Sequence, residues 1–291
     1  MHHRVQFAQA NERKADFDDI YDCVDPRPYY STLRRLDYQI PQNAKPRFQE
    51  IFDHFRRVRG RDALRVLDVG CSYGINAGLL KYGLELAALY EHYCSRSVAG
   101  LTPSELRRQD RRFFAAEHSS DELEVLGLDA AAQAVDYAKD VGLLDTGVAA
   151  NLEESSLDDS TIAELAGYDI IISTGSVGYV TGATFERLLA VCDASQPPWV
   201  VCFVLRMFPY GDIEEVLARH GLATARETDR TFIQRRFADR DEQSAVIAQL
   251  ESCGIAVDGL EGEGCFHAEL FVSMPAEELR VARLRFLDRA L

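Results

Sequence analysis

The residues best suited to binding a ligand form a glycine-rich turn, Asp68-Val69-Gly70-Cys71-Ser72-Tyr73-Gly74. An apolar run from Leu64 to Val69 leads into the turn, and helix-forming residues from Ile75 to Tyr93 follow it. A strand that enters a glycine turn and then a helix presents backbone N–H groups to a ligand at the carboxyl edge of a sheet. Gly70 and Gly74 are expected to let such a ligand lie against the main chain. The turn is neither a GxGxxG dinucleotide motif, because Ser72 stands at the middle position, nor a phosphate loop, because no Gly-Lys-Ser/Thr follows.

A carboxylate ends the next apolar run. Leu123 to Leu128 predicts a second strand that stops at Asp129, and an apolar stripe within 131–141 predicts the helix after it. A carboxylate only accepts hydrogen bonds, which suits it to the diol of a ribose. It also suits the N-terminus of the following helix, and the two roles are compatible.

Three further strands are predicted by short apolar runs at Gly147 to Leu152, Tyr168 to Ser173 and Trp199 to Leu205. Strands that alternate with helices at this spacing indicate a mainly parallel sheet with helices on both faces. Residues 240–253 are predicted to form a helix. Ile255 to Leu260 and Phe266 to Ser273 are predicted as an antiparallel pair, because the segment between them is too short for a crossover.

Residues 1–60 differ from the rest of the chain. They are rich in aromatic residues and contain four prolines, so short, broken helices that cap the main domain are expected, the last from Arg47 to Val58. They carry 11 Lys and Arg against 9 Asp and Glu, a slight positive balance. The aromatic segment is also compatible with contact to a second copy, so a homodimer stays open.

The overall composition restricts the partners. The chain of 291 residues has a net charge of −15, which disfavours nucleic acid and anionic membrane as partners. No apolar run approaches the roughly 18 residues of a transmembrane helix, and a cytoplasmic protein is expected. The seven cysteines are scattered, with no CxxC pair and no histidine at metal spacing, so neither a disulfide framework nor a metal site is expected. The arginine pair Arg235-Arg236 is expected to lie on a solvated face.

These strand ends together resemble the class I S-adenosylmethionine (SAM) dependent methyltransferases over roughly residues 60–275. The resemblance implies a Rossmann-like sheet of seven strands, the last antiparallel, in a SAM-binding domain at 61–275. That domain would follow the cap at 1–60, carry inserts near 95–120 and 207–239, and precede a C-terminal helix at 276–291. The first insert contains Thr102-Pro103-Ser104-Glu105, which predicts a helix with a capping box.

The resemblance also assigns the cofactor site. By position, Asp68, Gly70, Cys71 and Gly74 would hold the methionine part of SAM, and Ser72, Tyr73 and Asn76 would also bind the cofactor. Asp129 would bind the ribose and Asn151-Leu152 would lie against the adenine. Ser173 and Thr174 would border the sulfonium.

The resemblance implies an enzyme that moves the methyl group of SAM to a small metabolite. Tyr30, Tyr179 and His267 are the candidate catalytic residues, the two tyrosines as pocket walls and the histidine as a base. Ser173-Thr174-Gly175-Ser176 replaces the Asn/Asp-Pro-Pro-aromatic signature of the members that methylate amide or exocyclic amino nitrogens. Two alternatives stay open: an enzyme that transfers or cyclises the aminocarboxypropyl arm and releases methylthioadenosine, and a non-catalytic SAM-binding protein.

Overall fold

A computed structural model describes residues 18–117, 119–156, 158–282, 284 and 286–287. The first 17 residues of the predicted cap and the last four of the predicted C-terminal helix lie outside this set. The strands are β1 (Leu64–Val69), β2 (Leu123–Asp129), β3 (Thr146–Ala149), β4 (Ile170–Thr174), β5 (Trp199–Leu205), β6 (Leu222–Arg226), β7 (Phe232–Arg236) and β8 (Cys265–Pro275).

The strands form one sheet in the order β3-β2-β1-β4-β5-β8-β6, and β7 also pairs with β8. The first five are parallel, whereas β8 runs antiparallel to β5, β6 and β7. Because β6 and β7 lie end to end along one edge of β8, the sheet is seven strands wide. The predicted fold class is therefore confirmed: a Rossmann-like, mainly parallel sheet whose last strand is antiparallel.

Helices cover both faces of the sheet. They are α1 (Asp18–Tyr21), α2 (Arg27–Arg35), α3 (Ile40–Arg59), α4 (Ile75–Lys81), α5 (Leu86–Tyr93), α6 (Arg96–Ala99), α7 (Pro103–Ala116), α8 (Ala132–Asp140), α9 (Asp159–Leu165), α10 (Gly182–Leu189), α11 (Gly211–Arg219), α12 (Arg240–Ser252) and α13 (Ala276–Ala282). The capping box predicted at Thr102 is present and starts α7. Within the described ranges, no helix is both long and apolar enough to cross a bilayer.

The predicted partner of the last strand was wrong. Residues 255–260 form turns, in which the Val257 carbonyl accepts from the backbone N–H groups of Leu260 and Gly262. The antiparallel partners are β5, β6 and β7, and two of these lie in 207–239, the segment predicted as an insert. The predicted helix from Ile75 to Tyr93 is also divided, because Gly83 turns the chain in the left-handed region (φ 66°) between α4 and α5.

Helix α3 is longer than the prolines suggested, since it runs for 20 residues with Pro46 inside it. An interior proline costs about 3 kcal/mol, because it removes a backbone hydrogen bond and crowds the preceding turn. The face of α3 that buries Phe48, Ile51, Phe52 and Phe55 outweighs this cost, at about 1.5–3 kcal/mol per side chain. The helix therefore continues through the proline.

Candidate functional site

A cavity of about 890 Å³ opens at the carboxyl ends of β1, β2 and β4. The sheet order reverses between β1 and β4, and such a switch point is where open α/β sheets bind ligands. Its described walls consist of Tyr21, Asp22, Tyr29, Leu33, Tyr38, Val69, Gly70, Ser72, Leu128, Asp129, Ala130, Ala131, Ala150, Asn151, Leu152, Thr174, Gly175, Ser176, Tyr179, Val180, Thr184, Gln234 and Arg235. The volume lies near the top of the roughly 300–1,000 Å³ range of ligand pockets, which is enough for a nucleoside and a second small molecule.

The glycine turn forms the floor of this cavity. Ser72 has a positive φ of 47°, which is unusual for a residue with a side chain. The residue is only 7% exposed, and its buried hydroxyl has no hydrogen-bond partner among the described residues. A strained residue with an unpaired buried hydroxyl on a cavity wall is typical of a ligand-binding position.

The two glycines serve protein packing more than ligand approach. A Cβ on Gly70 would lie 2.5 Å from the Cβ of Ser176, and a Cβ on Gly74 would lie 3.1 Å from that of Leu143. Gly74 does not line the cavity, whereas Gly70 does. The expectation that a ligand lies against the main chain therefore stays a prediction at Gly70 and is corrected at Gly74. Their missing side chains leave space for neighbouring parts of the protein.

Replacing Ser72 with glycine is expected to separate stability from binding. Glycine adopts the left-handed conformation without strain, so we expect the free energy of unfolding to rise by about 0.5–1 kcal/mol. Loss of the hydroxyl is expected to weaken the binding of S-adenosylhomocysteine (SAH) by roughly 3- to 10-fold. Thermal denaturation and calorimetric titration measure the two effects. A variant that is more stable and binds SAH unchanged would show that the hydroxyl has no ligand role.

Asp129 links the turn to the next helix. Its Oδ2 accepts from the backbone N–H of Ser72 at 2.8 Å, and its Oδ1 accepts from the backbone N–H of Ala131 at 2.9 Å. A carboxylate has about four lone-pair positions, so two remain for a ligand. The side chain lines the cavity at the end of β2. Both roles predicted for Asp129, diol acceptor and helix cap, are compatible with this geometry.

Asp68 lies beneath the turn and does not line the cavity. It is fully buried, and its two carboxylate oxygens accept from Asn76 Nδ2 at 3.0 and 3.2 Å. Asn76 Nδ2 is also 3.1 Å from Thr174 Oγ1, so the pair ties α4 to the end of β4. Burial raises the pKa of Asp68 to about 7, partly offset by the Asn76 hydrogen bond and increased by the Asp129 charge. The geometry makes Asp68 and Asn76 supports of the cavity floor.

Asp68 is expected to make stability depend on pH. Its folded pKa of about 7 lies above its ordinary value of 3.8, so the folded state keeps a proton that the unfolded chain loses. Its contribution to stability is therefore present below about pH 4 and is lost as the pH rises towards 7, with a slope of at most about 1.4 kcal/mol per pH unit. Urea denaturation of the Asp68→Asn variant is expected to show a smaller decline over that window. Equal slopes in variant and parent would contradict this assignment.

The predicted cofactor residues divide into two groups. Six line the cavity: Gly70, Ser72, Asp129, Asn151, Leu152 and Thr174. Six do not: Asp68, Cys71, Tyr73, Gly74, Asn76 and Ser173. The Cys71 thiol lies against Gly127 of β2 and not on the cavity wall. Ser173 is fully buried, and its hydroxyl contacts that of Ser176.

Tyr73 reaches away from the cavity floor to the N-terminal segment. Its hydroxyl accepts from the backbone N–H of Cys23 at 2.8 Å and lies 3.2 Å from the carbonyl oxygen of Ile20. Asp22, between these residues, accepts from the backbone N–H of Gln133 at 2.7 Å. Tyr73 and Gln133 therefore hold residues 20–23 beside the cavity.

Of the three candidate catalytic residues, only Tyr179 lines the cavity, and its side chain is 55% exposed. Tyr30 lies outside because its ring stacks on Tyr93, with centroids 4.4 Å apart. His267 lies on β8, where its Nδ1 is 2.8 Å from Thr231 Oγ1. Burial and the Arg206 charge lower the pKa of this imidazole. The geometry therefore gives neither Tyr30 nor His267 a direct contact with a ligand in this cavity.

Sequence reasoning missed Gln234 and Arg235, which form part of the far wall. Arg235 was predicted to lie on a solvated face, but in the structure its side chain is buried. It is 3% exposed, and its guanidinium donates to both oxygens of Glu242, at 3.0 and 2.7 Å. Glu242 lies seven residues further on, in the first turn of α12. The only sequence signal for this contact was a carboxylate shortly after an arginine pair.

Glu153 connects the β3 end of the cavity to α10. Its carboxylate accepts from the Thr181 backbone N–H at 2.9 Å, the Thr181 hydroxyl at 2.8 Å and the Thr184 hydroxyl at 2.6 Å. It follows Asn151 and Leu152 directly, and Thr184 lines the cavity. The loop predicted to contact an adenine is thereby held against the helix that follows β4.

Comparisons with known proteins found similar solved structures but no similar family or curated sequence. No family model and no curated protein sequence matches the chain. It is similar to a solved plantazolicin methyltransferase in complex with a triazolic desmethyl analogue and SAH, at 13% identity over 94% of this chain and 96% of the other, with a TM-score of 0.47. It is also similar to magnesium protoporphyrin IX methyltransferase from Synechocystis with bound SAM, at 14% identity over 79% of each chain and a TM-score of 0.37.

Proposed function

We propose that the protein is a SAM-dependent methyltransferase that acts on a small molecule. The observation that carries the proposal is the cavity at the switch point, where Asp129 and the strained Ser72 line adjoining parts of one wall. A carboxylate with two remaining lone-pair positions fits a ribose diol, and an unpaired hydroxyl fits the polar end of an amino acid. SAM carries both of these groups.

Each part of the cavity would hold a different part of the cofactor. Asp129 would accept from the ribose hydroxyls, and Asn151 with Leu152 would lie against the adenine. Ser72 and Thr174 would face the methionine part. The floor is rigid, because Asp68 and Asn76 tie α4 to the end of β4 beneath it.

Bound SAM would supply a methyl carbon on a positively charged sulfur, which leaves as a neutral thioether when an acceptor lone pair forms the new bond to carbon. Among the described residues that line the cavity, none is a histidine, lysine or cysteine, and the two carboxylates, Asp22 and Asp129, each accept from backbone N–H groups. The chain's contribution is therefore to position the acceptor beside Thr174 and to exclude water. An acceptor that carries a proton would release it to solvent or to a group of its own.

A small acceptor fits both the net charge of the chain and the volume of the cavity. The net charge of −15 works against a nucleic-acid substrate, and the cavity volume leaves room beside a nucleoside for a molecule of modest size. Product analysis tests the proposal: the protein is incubated with SAM and a panel of small metabolites. We expect SAH to form only when an acceptor is present. Methylthioadenosine released without any acceptor would instead indicate chemistry on the aminocarboxypropyl arm, and an absence of SAH with every acceptor would contradict methyl transfer.

A further inference from the structure

The side-chain amide of Gln234 is the polar group on the far wall that the cofactor site leaves unused. Gln234 is 6% exposed and lines the cavity. No hydrogen bond joins its side chain to another of the described residues, and its amide atoms are not among the fully buried polar atoms that lack a partner, so the amide is open to the cavity. An amide that faces a cavity without a protein partner is available to donate a hydrogen bond to a ligand and to accept one from it.

The backbone holds Gln234 in place from two sides. β7 pairs with β8, and its opposite edge bonds to the segment between α2 and α3: the Gln39 N–H donates to the Gln234 carbonyl at 2.7 Å and the Arg236 N–H donates to the Leu36 carbonyl at 2.7 Å. A bulge interrupts the β7 register between Ile233 and Arg236. It allows neighbouring residues to face the same side, and Gln234 and Arg235 both line the cavity.

Gly175 brings this amide to the end of β4. The Nε2 atom of Gln234 occupies the position where a Cβ on residue 175 would stand. Gly175 directly follows Thr174, and both line the cavity. The amide therefore lies beside the strand end that would border the reacting sulfonium.

The wall around the amide is aromatic and apolar. Tyr29 and Leu33 of α2 line it, together with Tyr38. The rings of Tyr29 and Tyr38 pack edge to face, with centroids 6.4 Å apart at 82°. Packed rings and a leucine favour a flat, apolar ligand over a flexible polar chain.

The charges on the cavity wall are already bound to protein groups. Arg235, the only cation among the described lining residues, forms its two-point pair with buried Glu242. Asp129 and Asp22 accept from backbone N–H groups of Ser72 and Gln133. An anionic acceptor would thus lie beside two carboxylates and beside an arginine whose charge is already neutralised by a glutamate.

We propose that Gln234 is the residue that binds the acceptor, and that the acceptor is a planar aromatic molecule without negative charge that offers both a hydrogen-bond donor and an acceptor. The inference rests on the proposed function, because it places this molecule beside a bound cofactor. Gln234 would position the ring against Tyr29 and Tyr38 while its amide donates one hydrogen bond and accepts another.

A matched pair of probes tests the inference on the protein saturated with SAH. 3-Hydroxybenzamide is neutral and carries a donor and an acceptor in one carboxamide, whereas 3-hydroxybenzoate has the same ring and a carboxylate. Titration calorimetry is expected to give at least roughly 10-fold tighter binding of the benzamide. Equal or tighter binding of the benzoate, or no binding of either probe, would overturn the inference. SAH binding is measured first, so its failure identifies failure of the proposed function itself.

Variants of Gln234 assign the effect to this residue. We expect Gln234→Leu and the closely shaped Gln234→Met to weaken benzamide binding by roughly 5- to 20-fold while SAH affinity stays within about twofold. The retained SAH affinity shows that each variant is folded. Gln196→Leu, at an exposed glutamine outside the cavity, is the matched control and should change neither affinity. Unchanged benzamide binding in both Gln234 variants would contradict the role of the amide.

Discussion

The Glu242→Gln variant is expected to lose about 3–5 kcal/mol of its free energy of unfolding. The Glu242 and Arg235 side chains are only 3% and 4% exposed, so removing one charge leaves the other buried without its counterion. A glutamine also keeps only one acceptor oxygen, so it cannot accept from both Arg235 nitrogens and from the backbone N–H of Ala238, which donates to Glu242 Oε2 at 2.7 Å. Urea denaturation followed by circular dichroism measures the loss.

A surface pair provides the matched control. Arg219 and Glu186 also form an ion pair, but their side chains are 59% and 43% exposed. Exposed pairs contribute about 0–1 kcal/mol, so Arg219→Gln should have little effect. The combined Arg235→Met and Glu242→Leu variant should recover much of the lost stability, because no charge stays buried. A Glu242→Gln variant no less stable than Arg219→Gln would contradict a structural role for the buried pair.

The Asp129→Asn variant is expected to bind SAH roughly 10- to 100-fold more weakly than the parent. An asparagine side chain keeps one carbonyl oxygen, so it cannot accept from Ser72, Ala131 and a diol together. It also removes the negative charge that strengthens a hydrogen bond from a hydroxyl. Titration calorimetry with SAH measures the change directly.

Asp136→Asn is the control for this experiment. Asp136 lies on α8, a short distance along the chain from Asp129, with an exposed side chain that pairs with Arg107 at 2.8 Å. It does not line the cavity, so SAH affinity should stay within about twofold. Equal affinities for the Asp129 and Asp136 variants would contradict a ribose-binding role for Asp129.

The strands that support the cavity floor were predictable, because each is mainly apolar and mostly buried. Trp199 to Leu205 is fully buried and was predicted with its observed bounds. β6 and β7 were missed because Leu222–Arg226 and Phe232–Arg236 mix apolar, polar and charged residues, as edge strands do. Residues 255–260 gave the opposite error. Their apolar residues predicted a strand, but the segment makes local backbone hydrogen bonds and does not pair with β8.

The cofactor half and the acceptor half of the cavity also differ in how far the local sequence predicts them. Gly70, Ser72 and Asp129 follow strands directly, so their place at the sheet edge can be inferred from local sequence. Gln234 reaches the cavity through a bulge and through a backbone bond to Gln39, about 195 residues away in the chain. No local pattern encodes such a contact. The cofactor half of the site was therefore largely predictable, whereas the acceptor half required the structure.

The turn at Gly70 to Ser72 and the Asp129 carboxylate are proposed to hold an adenosyl cofactor. A crystal structure of the protein grown with SAH tests this binding site most directly. We expect density for the nucleoside in the cavity, with its ribose hydroxyls within hydrogen-bond distance of Asp129 and its amino acid end beside Ser72. Density elsewhere on the protein, or an empty cavity at saturating SAH, would contradict it.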